Sequence, residues 1–144
     1  MDRIESCISF QIGKAGQQIS RRAKELLSPH GVTPLQYAVL KCLSAEDGLS
    51  GAELGARLVL DSASITGVVD RLVVLGLVER RADVRDRRVL RLFLSPKSKA
   101  RQDELDRAMD RLNEEASQLL GGAGQAFAAQ LQRLSKRENW SSDV

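Results

Sequence analysis

The chain has 144 residues, of which 42% are hydrophobic and 28% charged, and its formal net charge at neutral pH is +3. This composition is typical of one globular domain and excludes an intrinsically disordered chain. No apolar run approaches the ~20 residues of a membrane span, and the charged N-terminus lacks the apolar segment of a secretory signal, so we expect a cytoplasmic protein.

Few residues are suited to catalysis or metal binding. The two cysteines, Cys7 and Cys42, cannot form a disulfide framework, and with the single histidine, His30, they cannot complete a four-ligand zinc site. Glycine-rich phosphate-binding motifs and the nucleophile elbow of hydrolases are absent. We therefore expect no enzymatic activity, no cofactor and no metal. The carboxylates that remain have the spacing of a solvated helix face; they are Glu104, Asp106, Asp110, Glu114 and Glu115.

The N-terminal segment is predicted to be a long amphipathic helix over residues 4–27. Two glycines inside it, Gly13 and Gly16, each cost ~1 kcal/mol relative to alanine, so we expect them to serve close packing or to leave room for a ligand. The Ser-Pro-His-Gly sequence at residues 28–31 ends the helix. The apolar stripe, which recurs every three or four positions, consists of Ile4, Ile8, Ile12, Ala15, Ile19, Ala23 and Leu26.

A second helix is predicted from Thr33 to about Leu43. Thr33 is a good N-cap residue and Pro34 suits the first turn of a helix. The spacing places Tyr37 and Leu40 on the inward face.

A helix-turn-helix is predicted next. Ser50 and Glu53 have the spacing of a capping box, which begins a short helix. Residues 60–62 (Leu-Asp-Ser) interrupt it, and a longer helix then continues to about Leu75, where Gly76 supplies a stop. The inward face of the longer helix is predicted to carry Ile65, Val68, Val69 and Leu72.

A hairpin rich in arginine is predicted after this helix. Residues 77–80 and 89–94 have the character of strands, and the polar segment 82–88 between them forms the tip. Clustered arginine suits recognition of phosphates and base edges, whereas five aromatic residues in the whole chain are too few for stacking unpaired bases, so duplex DNA is the favoured partner. The segment carries six arginines against two aspartates: Arg80, Arg81, Arg85, Arg87, Arg88 and Arg91, with Asp83 and Asp86.

Two further helices are predicted at the C-terminal end. The first begins at Ser95-Pro96 and runs to about Leu120, and a last helix spans about residues 124–138, after Gly121-Gly122. Their apolar surface exceeds what one DNA-binding unit needs, so we expect a two-fold dimer. The first of these helices has a heptad-like seam made of Leu105, Met109, Leu112, Ala116 and Leu119.

From Ser50 to Arg101 the chain resembles the MarR family of winged-helix transcription regulators. The helix order extends this similarity over nearly the whole chain. The residues that carry it are Leu75-Gly76-Leu77-Val78-Glu79-Arg80-Arg81, then Asp83-Val84-Arg85-Asp86-Arg87-Arg88, then Leu92-Phe93-Leu94-Ser95-Pro96, with Thr33-Pro34-Leu35-Gln36-Tyr37 upstream.

The resemblance implies a mainly α fold with a small β-hairpin wing, in which a winged helix-turn-helix is flanked by long terminal dimerisation helices. It implies one domain over residues 1–144, with a winged-helix part at 33–95 and helical dimerisation parts at 1–30 and 96–144. It also implies a homodimeric repressor that binds pseudo-palindromic duplex DNA and is released by a small-molecule effector.

The residues expected to contact DNA lie on the longer helix and on the wing. The helix from Ser62 is expected to enter the major groove, where small side chains permit close approach and an alanine can contact a thymine methyl. By resemblance, Asp86 orients Arg88 for insertion into the minor groove, whose negative potential attracts arginine. The complete set is Ser62, Ala63, Ser64, Thr66, Gly67, Arg71, Arg85, Arg87 and Arg88, with Asp86 as the orienting residue.

An effector pocket between the terminal helices and the winged helix is a further expectation. Gly13, Gly16, His30 and Tyr37 are its candidate lining residues. A loop histidine and a core tyrosine are the alternative interpretations of the last two, and no group of residues indicates a class of effector.

Two alternatives stay open: an oxidation sensor of the same fold, and an interaction module that binds no DNA. Some relatives sense organic hydroperoxides through a cysteine in the first helix. Counting along this chain, that position falls at Ser9 and not at Cys7, and the supporting tyrosines fall at Ala23 and Pro34. We therefore expect Cys7 and Cys42 to be buried structural thiols.

Overall fold

The structure, a computed structural model, describes residues 3–140 and has six α-helices arranged around a small antiparallel sheet. This confirms the predicted fold class, a winged helix flanked by long helices. Within the described residues no helix has the length and apolar character needed to cross a membrane. The helices are α1 (Ile8–Leu27), α2 (Pro34–Ala45), α3 (Gly51–Leu58), α4 (Ser62–Val74), α5 (Pro96–Leu119) and α6 (Gly124–Ser135), and the strands are β1 (Leu49–Ser50), β2 (Val78–Ala82) and β3 (Leu90–Leu94).

The N-terminal helix begins later than predicted. A 3₁₀ turn spans Ile4–Ser6, and Cys7 is extended, with ψ of 121°, so the chain can continue as an α-helix only from Ile8. At the other end a 3₁₀ turn at Ser28–His30 leads into Gly31, whose φ of 67° lies in the left-handed region. The extreme ends of the predicted dimerisation parts, residues 1–2 and 141–144, lie outside the described residues.

Two capping boxes fix the starts of α2 and α3. The predicted box at Ser50 and Glu53 is present: the Ser50 N–H donates to the Glu53 carboxylate at 2.7 Å, and the Glu53 N–H donates to the Ser50 hydroxyl at 3.2 Å. Sequence reasoning found the Thr33 cap but missed its partner, Gln36, whose amide oxygen accepts from the Thr33 N–H at 2.9 Å. Each box satisfies two N–H groups that a helix start otherwise leaves without partners.

The hydrophobic core lies where α2, α3, α4, α5 and the sheet meet. Leu40 is buried on α2, as predicted, together with Leu43, and Leu105 of α5 closes the other side. All four residues predicted to face inward on α4 are also buried: Ile65, Val68, Val69 and Leu72.

The sheet contains one strand more than predicted. Its order is β1-β3-β2, with Val78 opposite Leu94 and Ala82 opposite Leu90 in the β2–β3 hairpin. The extra strand, β1, has only two residues, too few for an alternating pattern that sequence reasoning could detect.

The helix pair α1–α5 is joined by a charged cluster. Arg22 donates to both carboxylate oxygens of Glu115, at 2.7 Å and 2.8 Å, and Arg111 donates to the same group at 3.1 Å. The prediction that Glu115 only solvates a helix face is therefore wrong, because a partner 93 positions away could not be found from local spacing.

Acid should weaken this cluster. The hydrogen bond from Arg22 is the main cause that lowers the pKa of Glu115 to about 2. Because the folded-state pKa lies below the unfolded value, the cluster stabilises the fold above pH ~4.3 and the contribution is lost as the pH falls towards 2. We expect Glu115→Gln to flatten the acid side of a plot of Tm against pH. The exposed Glu114→Gln is the control, and identical plots for the two variants would contradict this assignment.

The terminal helices leave apolar side chains uncovered. Part of the predicted stripe of α1 is exposed, and the seam of α5 passes from buried Leu105 and Leu112 to Leu119, which is 88% exposed. The large apolar residues of α6 are exposed as well. The uncovered set on these segments is Ile4, Ile8, Phe10, Ile12, Ile19, Leu119, Leu120, Phe127, Leu131, Leu134 and Trp140.

Candidate nucleic-acid interface

Helix α4 is fixed at its start by Asp61, whose side chain accepts the Ser64 N–H at 2.7 Å. This cap places Ser62 in the first turn of the helix with its side chain exposed. One face of α4 is buried in the core, so the opposite face is presented outward. The predicted contact residues on α4 are all exposed: Ser62, Ala63, Ser64, Thr66, Gly67 and Arg71.

The turn between α3 and α4 is tight. The Leu60 N–H donates to the Gly55 carbonyl at 2.9 Å, and a Cβ atom at Gly55 would lie 3.0 Å from the Leu60 carbonyl oxygen. Val59 between them has a φ of 54°, a conformation that β-branched residues rarely adopt. Gly55 therefore permits the close approach of the Leu60 backbone to α3.

Helix α4 stands between two open grooves. One, of about 400 Å³, separates α4 from α3 beside Ser62 and Thr66. The other, of about 280 Å³, separates α4 from the start of α2 beside Ser64 and Arg71. A protruding helix with small side chains has the shape needed to enter the major groove of duplex DNA, which is about 12 Å wide.

The tip of the wing is organised by Asp83. Its carboxylate accepts the backbone N–H groups of Arg85 at 2.7 Å and Asp86 at 3.1 Å. It also accepts Nε of Arg91 at 2.7 Å, and this bond, followed by the two backbone N–H groups, lowers the pKa of Asp83 to about 2. The tip is therefore a hydrogen-bonded turn with a charged anchor.

Asp86 contacts Arg88 at the same tip. The Arg88 backbone N–H and Nε both donate to one carboxylate oxygen of Asp86 at 3.1 Å, and the Arg88 guanidinium also approaches the other oxygen at 3.4 Å. These bonds lower the pKa of Asp86. The side chain of Arg88 is nevertheless 91% exposed. The Asp86–Arg88 contact expected from sequence is present, and the use of Arg88 on DNA stays a prediction.

Besides Arg88, three of the six wing arginines pair with acidic residues of the wing and the helix-turn-helix. Arg81 pairs with Glu79 at 2.8 Å and lies over the ring of Phe93, 4.5 Å from its centroid. The others are Arg80, which pairs with Asp70 of α4, and Arg91, which pairs with Asp83 and Glu53.

Arg85 and Arg87 form no ion pair among residues 3–140, and both are exposed. Together with Arg88 they form the cationic tip. The count of six arginines therefore overstates the positive charge available to a partner, because acidic residues neutralise part of it. A local stretch of sequence does not show which charges pair across distant positions.

Sequence reasoning missed Arg91 and Glu53 as parts of this site. Arg91 reaches from β3 to the Glu53 carboxylate at 2.9 Å, across 38 positions of the chain. Aspartate residues at positions 83 and 86 are typical of a turn in which a side chain accepts hydrogen bonds from nearby backbone N–H groups, and this pattern was visible in the sequence. Nothing in the sequence indicated which arginine would pair with Glu53.

The four candidate effector-pocket residues lie in two places. His30 Nδ1 lies 2.9 Å from the Glu104 carboxylate, and the Tyr37 hydroxyl donates to Asp106 at 2.9 Å, so both contact α5. Burial, and then the bond to Asp106, raise the pKa of Tyr37. Gly13 and Gly16 lie on the exposed surface of α1. Neither groove beside α4 includes any of the four, and the pocket stays a prediction.

The two cysteines are only partly buried, so the expectation of buried thiols is wrong for the single chain. Cys7 stands at the start of α1 with its sulfur 3.2 Å from the Ser9 hydroxyl, a contact that lowers the pKa of Cys7. Cys42 packs against the hydrophobic core. Cys7 is not buried as expected because it lies in the extended break before α1 and not on the inward face of a helix.

The profile of the MarR family matches residues 30–89 of this chain. The HTH-type transcriptional regulator TtmR of Methylorubrum extorquens is 36% identical over 103 residues, which are 72% of this chain and 53% of that protein. The chain spans about half the length of the first curated relatives it matches.

Solved structures show the same fold. A probable transcriptional regulator from Pseudomonas aeruginosa is 32% identical, with a TM-score of 0.79 over 92% of this chain and 99% of its own. The transcriptional repressor CouR, bound to a 23-mer DNA duplex, has a TM-score of 0.88 at 22% identity and covers 94% of this chain and 97% of its own. CouR from Rhodococcus jostii RHA1 has also been solved bound to p-coumaroyl-CoA, with a TM-score of 0.82 at 21% identity over 100% of this chain and 99% of its own.

Proposed function

The chain belongs to the MarR family, and from that premise we propose that it is a homodimeric transcriptional regulator that binds specific sequences in double-stranded DNA. The observation that carries the proposal is Arg88, which Asp86 holds at the wing tip with almost its whole side chain exposed. Its relatives are named as regulators and not as enzymes. We place the protein in the cytoplasm, together with the DNA it would bind.

In this proposal α4 enters the major groove. The exposed hydroxyl groups of Ser62, Ser64 and Thr66 would bond base edges or phosphates, and Ala63 would contact a thymine methyl. Gly67 leaves room for close approach, and the Arg71 guanidinium beside it would bind a phosphate or a guanine. The small exposed side chains over the first two turns of this face support the assignment.

The wing would contact the neighbouring minor groove. Arg88 would insert into it, because a narrow minor groove has an enhanced negative potential. Arg85 and Arg87, which have no acidic partner in the described part of the chain, would bind phosphates on either side. A carboxylate close to DNA is unfavourable by itself, so Asp86 is best explained as the group that fixes the Arg88 guanidinium.

Dimerisation would cover the apolar side chains of the terminal helices. Closed two-fold pairs are the commonest assemblies of identical chains, and they present two recognition helices to a pseudo-palindromic site. The exposed apolar residues of α1 and α6 support this arrangement, since a monomer rarely leaves so many large apolar side chains uncovered.

We assign the protein as a repressor released by a small molecule. The observation that supports this is the likeness to CouR, a repressor solved both on DNA and with a coenzyme A thioester. The effector would bind between the terminal helices and the winged helix, near Gly13, Gly16, His30 and Tyr37. A thermal-shift screen of small organic acids and their thioesters would identify the class of effector.

An oxidation-sensing regulator of the same fold is the second candidate. The bond between Cys7 and Ser9, which lowers the pKa of Cys7, is the observation that favours it, because the thiolate is the reactive form of cysteine.

Binding should depend steeply on salt. Six tip arginines in a dimer displace counterions from DNA, so raising the salt from ~50 to ~200 mM should weaken binding by about 1,000-fold. Fluorescence anisotropy on a duplex that the protein selects from a library of random sequences measures this directly. A titration that stays flat over this range would mean that the wing tips do not contact phosphates, and it would overturn the proposed function.

A further inference from the structure

A continuous series of hydrogen bonds joins the helix-turn-helix to the wing tip. It begins at the capping box of α3, where the Glu53 carboxylate accepts the Ser50 N–H at 2.7 Å. The same carboxylate oxygen accepts the Arg91 guanidinium at 2.9 Å. Arg91 thus links the start of α3 to the outer end of the wing.

The series continues from Arg91 into the tip itself. Arg91 Nε donates to Asp83 at 2.7 Å, and the other Asp83 oxygen accepts the backbone N–H groups of Arg85 and Asp86. Asp86 then holds Arg88 through its backbone and its guanidinium. The side chain of Asp83 is 15% exposed and that of Arg91 is 34% exposed, so both are only partly accessible to water, whereas the side chain of Arg88 is 91% exposed.

We propose that Asp83 and Arg91 are positioning residues for DNA recognition, which hold the wing tip so that Arg88 is presented at a fixed distance from helices α3 and α4. This inference rests on the proposed function. Arg91 has no complete guanidinium edge left to bind a phosphate or a guanine with two hydrogen bonds, because its Nε donates to Asp83 and one terminal nitrogen donates to Glu53.

Electrostatics alone makes the opposite prediction for Asp83. Removal of an acidic group near DNA reduces repulsion and should tighten binding. If Asp83 positions Arg88, its removal instead weakens binding, since a flexible arginine must lose more conformational freedom when it binds. The sign of the change therefore distinguishes the two explanations.

The test compares Asp83→Ala with Glu79→Ala, an acidic residue of the same wing that lies outside the series. With fluorescence anisotropy at matched salt on the duplex selected by the wild-type protein, we expect Asp83→Ala to raise Kd by about tenfold, the effect of losing one charge-assisted hydrogen bond. We expect Glu79→Ala to leave Kd unchanged or to lower it. Lower Kd values for both variants would overturn the proposal.

A second comparison uses substitutions that keep the positive charge of the side chain, so that neither loss of charge nor misfolding explains a change in Kd. Arg91→Lys retains the positive charge but cannot span both carboxylates with a planar fork, whereas Arg81→Lys makes the same change at a paired arginine outside the series. We expect weaker binding only for Arg91→Lys. Without DNA, the backbone amides of Arg85 and Asp86 should exchange hydrogen faster in Arg91→Lys than in Arg81→Lys, and equal exchange would count against the positioning role.

A double-mutant cycle separates positioning from a general loss of stability. If Asp83 acts through Arg88, Asp83→Ala should change Kd by less than about twofold when Arg88 is already alanine. Additive effects would overturn the proposal. Failure of the wild-type protein to bind any duplex would remove the proposed function and the inference with it, whereas binding by the wild-type protein with no effect of these variants would remove the inference alone.

Discussion

Arg88→Ala is expected to weaken binding of the selected duplex by about 100-fold, because a dimer loses two inserted guanidinium groups and each such contact contributes about 1–3 kcal/mol. The side chain is almost fully exposed, and Asp86 is its only ion-pair partner among residues 3–140, so its removal leaves no cavity in the fold. The Tm and the oligomeric state should therefore stay as in the wild-type protein. Anisotropy at matched salt, with sedimentation analysis of the free protein, measures both quantities.

A matched arginine variant is needed for this prediction. Arg107→Ala removes the same charge from an exposed position about three turns into α5, ~16 Å along the helix from its start after β3. We expect it to change Kd by less than about twofold, because exposed charges separated by more than a Debye length interact weakly. Equal effects of the two variants would show that Arg88 contributes only net charge, and unchanged affinity for Arg88→Ala would reject its role altogether.

Ile12→Glu should convert the protein to a monomer and abolish binding to the paired half-sites of its duplex. Ile12 is 43% exposed on α1, within the apolar stripe that we assign to the subunit interface. A glutamate there would have to be buried twice, once in each subunit, at a cost of several kcal/mol for each charge. The single chain already exposes this position to water, so the fold itself should persist. Size-exclusion chromatography with light scattering gives the mass.

The control for the dimer prediction lies on the opposite face of the same helix. Gln17→Glu introduces the same charge at an exposed position about half a turn away from the stripe. It should remain dimeric and bind DNA. A wild-type protein that is monomeric at micromolar concentration, or an Ile12→Glu variant that is still dimeric, would contradict the assignment of this face.

Most of the fold could be predicted from short stretches of sequence. The capping box at Ser50 and Glu53, the stop at Gly76 and the inward face of α4 depend on residues within one or two turns of each other, and all are present in the structure. Local periodicity is the strongest information that a single sequence contains. The break at Cys7 was missed because the apolar spacing continues across it from Ile4 to Ile8.

The candidate site was less accessible to sequence reasoning. The Asp86–Arg88 contact spans two positions and was expected from the family resemblance, whereas the bond from Arg91 to Glu53 spans 38 positions. Which charges pair across the fold is decided only when β3 comes to lie beside the start of α3. The sequence therefore indicated a basic wing but not which of its arginines are committed to the protein.

The joining of α1 to α5 through Arg22 and Glu115 has a consequence for synthesis. Arg22 and Glu115 are 93 positions apart, so α1 and α5 can pair only after α5 has been synthesised, whereas α2, α3, α4 and the β2–β3 hairpin follow one another within residues 34–94. Domains generally form in the order in which their segments emerge from the ribosome. We expect the winged helix to fold first on the nascent chain, and the proposed dimer surface to form only after α5 and α6 have emerged from the ribosome.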